Sequence, residues 1–124
     1  MLFRSKWLAA LAFDDISSPG NSTVRVWEAE SGRELLTIAD TSLQYVSFSP
    51  DGTKLATSYV DGTIKVWDIQ TKQAIMTFVS GYQGWLNMVF FSPDGSKLVA
   101  NDTGVEVIIV WDLGSGEKLA TLDG

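Results

Sequence analysis

The chain has 124 residues, of which 45% are hydrophobic and 19% charged, enough for one folded domain with a buried core. It contains no cysteine and no histidine, which excludes disulfides, thiolate- or imidazole-ligated metal sites and Ser-His-Asp or Cys-His catalysis. The formal net charge of −6 argues against nucleic-acid binding, and no apolar run reaches the roughly 20 residues that a membrane span needs.

The first predicted element lies within Met1–Phe13. Arg4 and Lys6 are followed there by the apolar stretch Trp7–Phe13, an order that secretory signal peptides also show. The stretch has only seven residues, however, and its small-x-small sequence, Ala10-Leu11-Ala12, lies inside it instead of after it. We therefore favour a buried β-strand over a signal peptide.

The chain then repeats itself with a period of about forty residues. Val26-Trp27-Glu28 recurs as Val66-Trp67-Asp68 and as Val110-Trp111-Asp112, at offsets of 40 and 44 residues. Phe48-Ser49-Pro50-Asp51-Gly52 recurs 43 residues later as Phe91-Ser92-Pro93-Asp94-Gly95. Such a period is typical of repeat architectures, in which each unit buries its apolar face against a neighbour.

Each unit is predicted to form four short strands, which the middle unit shows most clearly. Its predicted strands are Gln44–Ser49, Lys54–Ser58, Thr63–Asp68 and Gln73–Val79. Ser-Pro-Asp-Gly and Asp-Gly turn sequences separate them, and β-branched and aromatic residues predominate within them. Nearly continuous apolar runs at 86–91 and 107–110 indicate sheets that are covered on both faces.

These residues resemble the WD-repeat β-propeller family. The similarity rests on Trp67-Asp68, Trp111-Asp112, the variant Trp27-Glu28 and both Ser-Pro-Asp-Gly turns, and it covers nearly the whole chain. It implies an all-β fold of three four-stranded antiparallel blades, at about 1–39, 40–80 and 81–124, arranged around a channel. It also implies a non-catalytic scaffold without cofactors that binds other proteins. We assign the chain to the cytoplasm, although the absence of cysteine is compatible with any compartment.

The resemblance further implies structural roles for four residues: Trp27, Trp67, Trp111 and Asp61. Members of the family often tie a blade together through a network of His, Ser or Thr, Asp and Trp. Because this chain has no histidine, the network has to close differently. The candidates that remain are Asp61 and Thr57 around Trp67, and Asp102 near Trp111.

Three blades are too few for a closed ring, because propellers close with four to eight. Each open flank of the array would then expose an apolar blade face, and we identify no polar cap at either end. One explanation is head-to-tail assembly, in which two copies make six blades and three copies make nine. The other is a fragment of a larger WD-repeat regulatory protein, which the start at Met1 inside a blade favours. We favour a homo-oligomer, and among homo-oligomers a dimer.

Loop lengths vary at only one end of the predicted blades, which we call the variable end; the opposite end is the regular end. Lys6 to Trp27 spans 21 residues, whereas Lys54 to Trp67 spans 13. None of the nine basic residues falls in the variable-end loops. These loops hold five aspartates: Asp14, Asp15, Asp40, Asp61 and Asp102.

We predict that the acidic variable end binds a basic protein or peptide, because function often resides in loops on a rigid scaffold. The candidate binding residues are Asp14, Asp15, Asp40, Tyr82, Trp85 and Asp102. The two aromatic residues would be anchors, although a packing role for Trp85 is the alternative. A carbohydrate- or small-ligand-binding propeller also stays open, and tryptophans buried away from the loops would count against it. We predict no enzyme, since only carboxylates could act as acid or base.

Overall fold

The computed structural model describes residues 7–13, 22–40, 43–79, 86–102 and 107–123. These residues form eleven β-strands and no helix, which confirms the predicted all-β fold. Within this part of the chain, therefore, nothing resembles a membrane-spanning helix.

The strands form three antiparallel sheets in chain order. The first sheet contains β1 (Trp7–Phe13), β2 (Ser22–Glu28) and β3 (Glu34–Asp40). The second contains β4 (Leu43–Phe48), β5 (Lys54–Tyr59), β6 (Thr63–Asp68) and β7 (Gln73–Val79). The third contains β8 (Leu86–Phe91), β9 (Lys97–Asp102), β10 (Val107–Asp112) and β11 (Lys118–Asp123). The predicted antiparallel sheets are thus confirmed, with four strands in the second and third sheets and three in the described part of the first.

The Ser-Pro-Asp-Gly turns join β4 to β5 and β8 to β9 with the same hydrogen bonds. In the first turn, the Ser49 hydroxyl donates to Asp51 Oδ1 at 2.7 Å. The N–H and hydroxyl of Thr53 donate to the same oxygen at 3.0 and 2.8 Å. The β8–β9 turn repeats all three bonds at the same lengths around Asp94. The turn aspartate therefore organises the hairpin locally, as expected of an Asx turn.

The acidic residue of each Trp-Asp or Trp-Glu pair organises the following turn. Asp68 Oδ1 accepts the N–H of Thr71 at 3.0 Å, and Asp112 Oδ1 accepts the N–H of Gly114 at 2.7 Å. Glu28 Oε1 accepts a hydrogen bond from the Ser31 hydroxyl of its own turn at 2.6 Å. The recurrence of an acid at this position thus has a local hydrogen-bonding cause.

Two apolar clusters hold the three sheets together. The cluster between the first and second sheets includes Val24, Val26, Leu36, Ile38, Leu43, Leu55 and Tyr59. The cluster between the second and third sheets includes Ala56, Ile64, Val66, Phe78, Val89, Phe91, Leu98, Ile109 and Trp111. Because strand side chains alternate between faces, the second sheet contributes to both clusters and is covered on both sides.

Candidate protein-interaction surfaces

The variable end is defined in the structure by the β5–β6 turn. Antiparallel pairing places the last residues of β1 and β3, of β5 and β7, and of β9 and β11 at one end of their own sheets. Asp61 lies in this turn, where its Oδ1 accepts the N–H of Thr63 at 2.9 Å. The hydroxyl and the N–H of Thr63 hold the pKa of Asp61 below its usual value. The carboxylate therefore stays ionised at neutral pH in a fixed position.

Exposed apolar side chains accompany this carboxylate at the variable end of the second sheet. Val60 directly precedes Asp61 and is 45% exposed. Val79 ends β7, pairs with Thr63 and is 66% exposed. The turn thus offers one fixed negative charge beside aliphatic surface, a combination suited to a basic side chain flanked by apolar residues.

The other predicted binding residues fall at or beyond the limits of the described chain. Asp14, Asp15, Tyr82 and Trp85 lie outside the described residues. Asp40 is the last residue of β3, where it pairs with Ser22. Asp102 is the last residue of β9, where it pairs with Leu86 and Val107. The backbones of Asp40 and Asp102 therefore reach the same end as Asp61, and their partner-binding role stays a prediction.

The second sheet contains a buried chain of hydrogen bonds that forms without a histidine. Trp67 Nε1 donates to Thr57 Oγ1 at 3.0 Å, and the Thr57 hydroxyl donates to Tyr59 OH at 3.0 Å. The Lys65 ammonium lies 5.4 Å from the Tyr59 ring centroid and 6.0 Å from that of Trp67, within reach of cation–π attraction. Asp61 caps its own turn instead of binding Trp67.

Tyr59 is the one residue of this hydrogen-bond chain that the sequence analysis did not predict. It stands two positions after Thr57 on one strand, and residues two apart share a face. That spacing, together with the absence of histidine, was the available signal. The third sheet has Ala100 and Asp102 at the corresponding positions, 43 residues later, so the hydrogen-bond chain of the second sheet has no direct counterpart there.

The three repeated tryptophans all lie on strands, and two of them pack against a neighbouring sheet. Trp111 is buried and stacks on Phe78 of the second sheet, with ring centroids 5.3 Å apart. Trp67 is half-buried against the cluster shared with the first sheet. Trp27, also half-buried, alternates with Val24 and Val26 and so faces away from the second sheet.

The third sheet has one face that no described residue covers, which we call the open flank. Cross-strand pairing arranges it in two rows: Met88, Asn101, Ile108 and Leu122, then Phe90, Val99, Val110 and Ala120. Four of its apolar side chains, those of Met88, Phe90, Ile108 and Leu122, are between 40% and 53% exposed. Exposed apolar side chains grouped in this way make the open flank a candidate interaction surface.

The second sheet has the same two rows, but there they are covered. They are Tyr45, Ser58, Ile64 and Phe78, then Ser47, Ala56, Val66 and Met76. Ile64 and Val66 are fully buried against the third sheet, and Phe78 is nearly so. The open flank therefore repeats one side of an internal interface, and none of the described residues forms the other side.

The acidic side chains of the described residues were compared as possible metal ligands. Among the described residues, no three acidic side chains come together as metal ligands. The shifted carboxylates of Asp51, Asp61 and Asp94 are each engaged in their own turn.

Comparison with known proteins gives a consistent result. A family model described as "WD domain, G-beta repeat" matches residues 34–68, which run from the start of β3 to the end of β6. The crystal structure of RRP9 WD40 repeats has the same fold, with a TM-score of 0.71 at 22% identity over 85% of this chain and 36% of that one. WD repeat and SOCS box-containing protein 1 of Xenopus tropicalis is 30% identical over 96 residues, which cover 75% of this chain and 22% of the relative. The chain belongs to the WD-repeat family.

Further relatives extend the similarity along the chain. A guanine nucleotide-binding protein subunit beta-like protein of Encephalitozoon cuniculi is 27% identical over 89% of this chain and 36% of its own length. The chain spans about a fifth of the length of the first curated WD-repeat relatives that it matches. WD-repeat proteins generally act as scaffolds for interactions between proteins.

Proposed function

We propose that this WD-repeat chain is a non-catalytic scaffold in the cytoplasm that binds a basic protein or peptide through its variable end. The observation that carries the proposal is the Asp61 turn, in which an ionised carboxylate is held beside exposed Val60 and Val79. Asp14, Asp15, Asp40 and Asp102 would add negative charge at the same end, and Tyr82 and Trp85 would add aromatic anchors. A net charge of −6 disfavours nucleic acid as the partner.

A random peptide library displayed on phage tests this proposal directly. We expect the selected peptides to combine Lys or Arg with aliphatic residues and to bind less tightly when salt is raised. Asp61→Asn keeps the acceptor oxygen for the Thr63 N–H but removes the charge, so it should weaken binding about 5- to 30-fold. Glu30→Gln, an exposed carboxylate in the β2–β3 turn at the regular end, is the matched control. Selection of acidic peptides, or equal binding by both variants, would contradict the proposal.

We also propose that the chain assembles with itself head to tail, each of its three sheets acting as one blade and two copies giving six. The apolar open flank supports this proposal, because a surface of that kind is covered in a stable assembly. The alternative is that a further blade of a longer WD-repeat protein covers the open flank. A carbohydrate- or small-ligand-binding propeller is less well supported, since Trp27, Trp67 and Trp111 lie on strands instead of loops.

A further inference from the structure

Lys65 is the basic residue nearest in the sequence to Asp61, yet it leaves that carboxylate unpaired. Thr63, which binds Asp61, stands two positions before Lys65 on β6, so their side chains share one face about 7 Å apart. A lysine stem of four methylenes can cross that distance. The charge of Lys65 also lowers the pKa of Asp61, after the hydrogen bonds from Thr63. Within the part of the chain that the structure describes, however, no lysine or arginine forms an ion pair with Asp61.

Two aromatic rings hold the Lys65 ammonium instead. It lies 5.4 Å from the ring centroid of Tyr59 and 6.0 Å from that of Trp67. Both rings are fixed, because each is joined to the Thr57 hydroxyl by a hydrogen bond of 3.0 Å. Cation–π attraction to two fixed rings is at least as strong as an exposed lysine–carboxylate pair, which contributes little. Lys65 therefore stays with the rings, and the charge of Asp61 remains available.

The first sheet shows what a cation at this strand position does where an acidic side chain is within reach. Arg25 stands in the place of Lys65, two positions before the repeated tryptophan, and it pairs with Glu34 of β3 at 3.7 Å. β7, the corresponding strand beside Lys65, contains no acidic residue. Asp61 is thus the carboxylate that Lys65 would approach if the rings released it.

We propose that Tyr59 and Trp67 regulate the variable end by holding Lys65, an internal competitor, away from Asp61. A cation of the partner then meets an ionised carboxylate that Lys65 does not occupy. The inference rests on the proposed binding of a basic protein or peptide at Asp61 and gives the buried hydrogen-bond chain a part in it. Tyr59 and Trp67 are positioning residues, because they act through Lys65.

Nuclear magnetic resonance tests where Lys65 lies. In the unaltered chain its ε-methylene protons should resonate upfield of those of an ordinary lysine, because aromatic faces shield the protons held over them. Trp67→Leu removes one ring and should release Lys65, which lowers the pKa of the Asp61 carboxyl in a titration. Tyr59→Leu is the second variant if Trp67→Leu does not fold. Ordinary lysine resonances in the unaltered chain, or an unchanged Asp61 pKa in a folded variant, would overturn the inference.

Peptide binding tests the consequence for the site. The probe is a fluorescein-labelled peptide of alternating lysine and valine residues, followed by fluorescence anisotropy. Trp67→Leu should weaken binding about 3- to 5-fold, because an exposed ion pair with Lys65 then competes for Asp61. Adding Lys65→Met should restore binding, since methionine keeps an apolar side chain there but cannot pair with Asp61. Tyr59→Phe is the matched control: it removes the hydrogen bond to Thr57 but keeps the ring under Lys65, so binding should not change.

The double variant separates this inference from the proposed function. If Trp67→Leu with Lys65→Met binds as weakly as Trp67→Leu alone, the tryptophan acts through the fold and not through Lys65. The inference is then overturned, while binding at Asp61 stands. A peptide that binds neither the unaltered chain nor Lys65→Met contradicts the proposed function itself, and the Lys65 resonances and the Asp61 pKa still decide whether the rings hold Lys65 away.

Discussion

At the scale of single residues, two adjacent hydroxyl groups in β5 have opposite environments. Thr57 is fully buried and makes two side-chain hydrogen bonds, accepting from Trp67 and donating to Tyr59. Ser58 is equally buried, but its Oγ has no hydrogen-bond partner among the described residues. A buried hydroxyl stabilises a fold when it is paired and destabilises it when it is not.

This contrast predicts effects of opposite sign from two similar substitutions. Thr57→Val removes both hydrogen bonds at nearly constant volume and should lower the free energy of unfolding by about 1–3 kcal/mol. Ser58→Ala removes an unpaired hydroxyl and should leave stability unchanged or raise it by up to about 1 kcal/mol. Urea unfolding followed by tryptophan fluorescence measures both changes. Equal destabilisation by the two variants would contradict the hydrogen-bond chain.

The turn aspartates make stability depend on pH. The Ser49 hydroxyl, followed by the N–H and hydroxyl of Thr53, lowers the pKa of Asp51 to about 2. The N–H of Ser96 and the hydroxyls of Ser92 and Ser96 likewise depress the pKa of Asp94. A carboxyl whose pKa is lower in the folded chain than in the unfolded chain stabilises the fold above its unfolded pKa of about 3.9. That contribution is lost as the pH falls through the folded pKa.

We therefore expect the free energy of unfolding to decrease between about pH 5 and pH 2. The double variant Asp51→Asn, Asp94→Asn keeps an acceptor oxygen in each turn but cannot titrate, so its stability should depend less on pH over this range. Urea unfolding at several pH values measures the slope. A slope equal to that of the unaltered chain would mean that other carboxyls cause the pH dependence.

At the scale of strands and turns, the β2–β3, β6–β7 and β10–β11 hairpins at the regular end share one backbone conformation. Gly32, Lys72 and Gly116 occupy the same turn position with φ of 73°, 65° and 77°. Each donates its N–H to the carbonyl of the acidic residue four positions earlier, at 2.8 to 2.9 Å. Glycine adopts this left-handed conformation readily, whereas a side chain such as that of lysine is strained in it.

Exchanges at this position should consequently change stability in opposite directions. Lys72→Gly relieves the strain and should raise the free energy of unfolding by up to about 1 kcal/mol. Gly32→Ala should lower it by about 1 kcal/mol through strain alone, because an added Cβ meets nothing within 4 Å. Gly32→Asn should cost less, since asparagine tolerates the left-handed region. Thermal unfolding compares the three, and a destabilising Lys72→Gly would contradict the argument.

The elements of the second sheet were predictable from the sequence because each has a local cause. Alternating apolar residues and Ser-Pro-Asp-Gly or Asp-Gly turns located its four strands to within one residue. The hydrogen bond from Thr57 to Tyr59 was not predicted, since it depends on which buried side chain replaces a missing histidine. The contribution of Asp14, Asp15, Tyr82 and Trp85 stays a prediction, because these residues lie in connections outside the described strands.

At the scale of the whole molecule, the three sheets differ in how their equivalent faces are covered. The second sheet packs on both sides, and its two rows lie in the cluster shared with the third sheet. The third sheet repeats those rows on a face where four large apolar side chains remain exposed. Since apolar burial is the main favourable term in association, an uncovered repeat of a core interface should bind its own complement.

The native mass of the unaltered chain, measured by light scattering on a size-exclusion column across a dilution series, tests this account most directly. We predict a species with twice the 13.5 kDa mass of one chain, formed through the open flank. A folded monomer at every concentration would contradict the account.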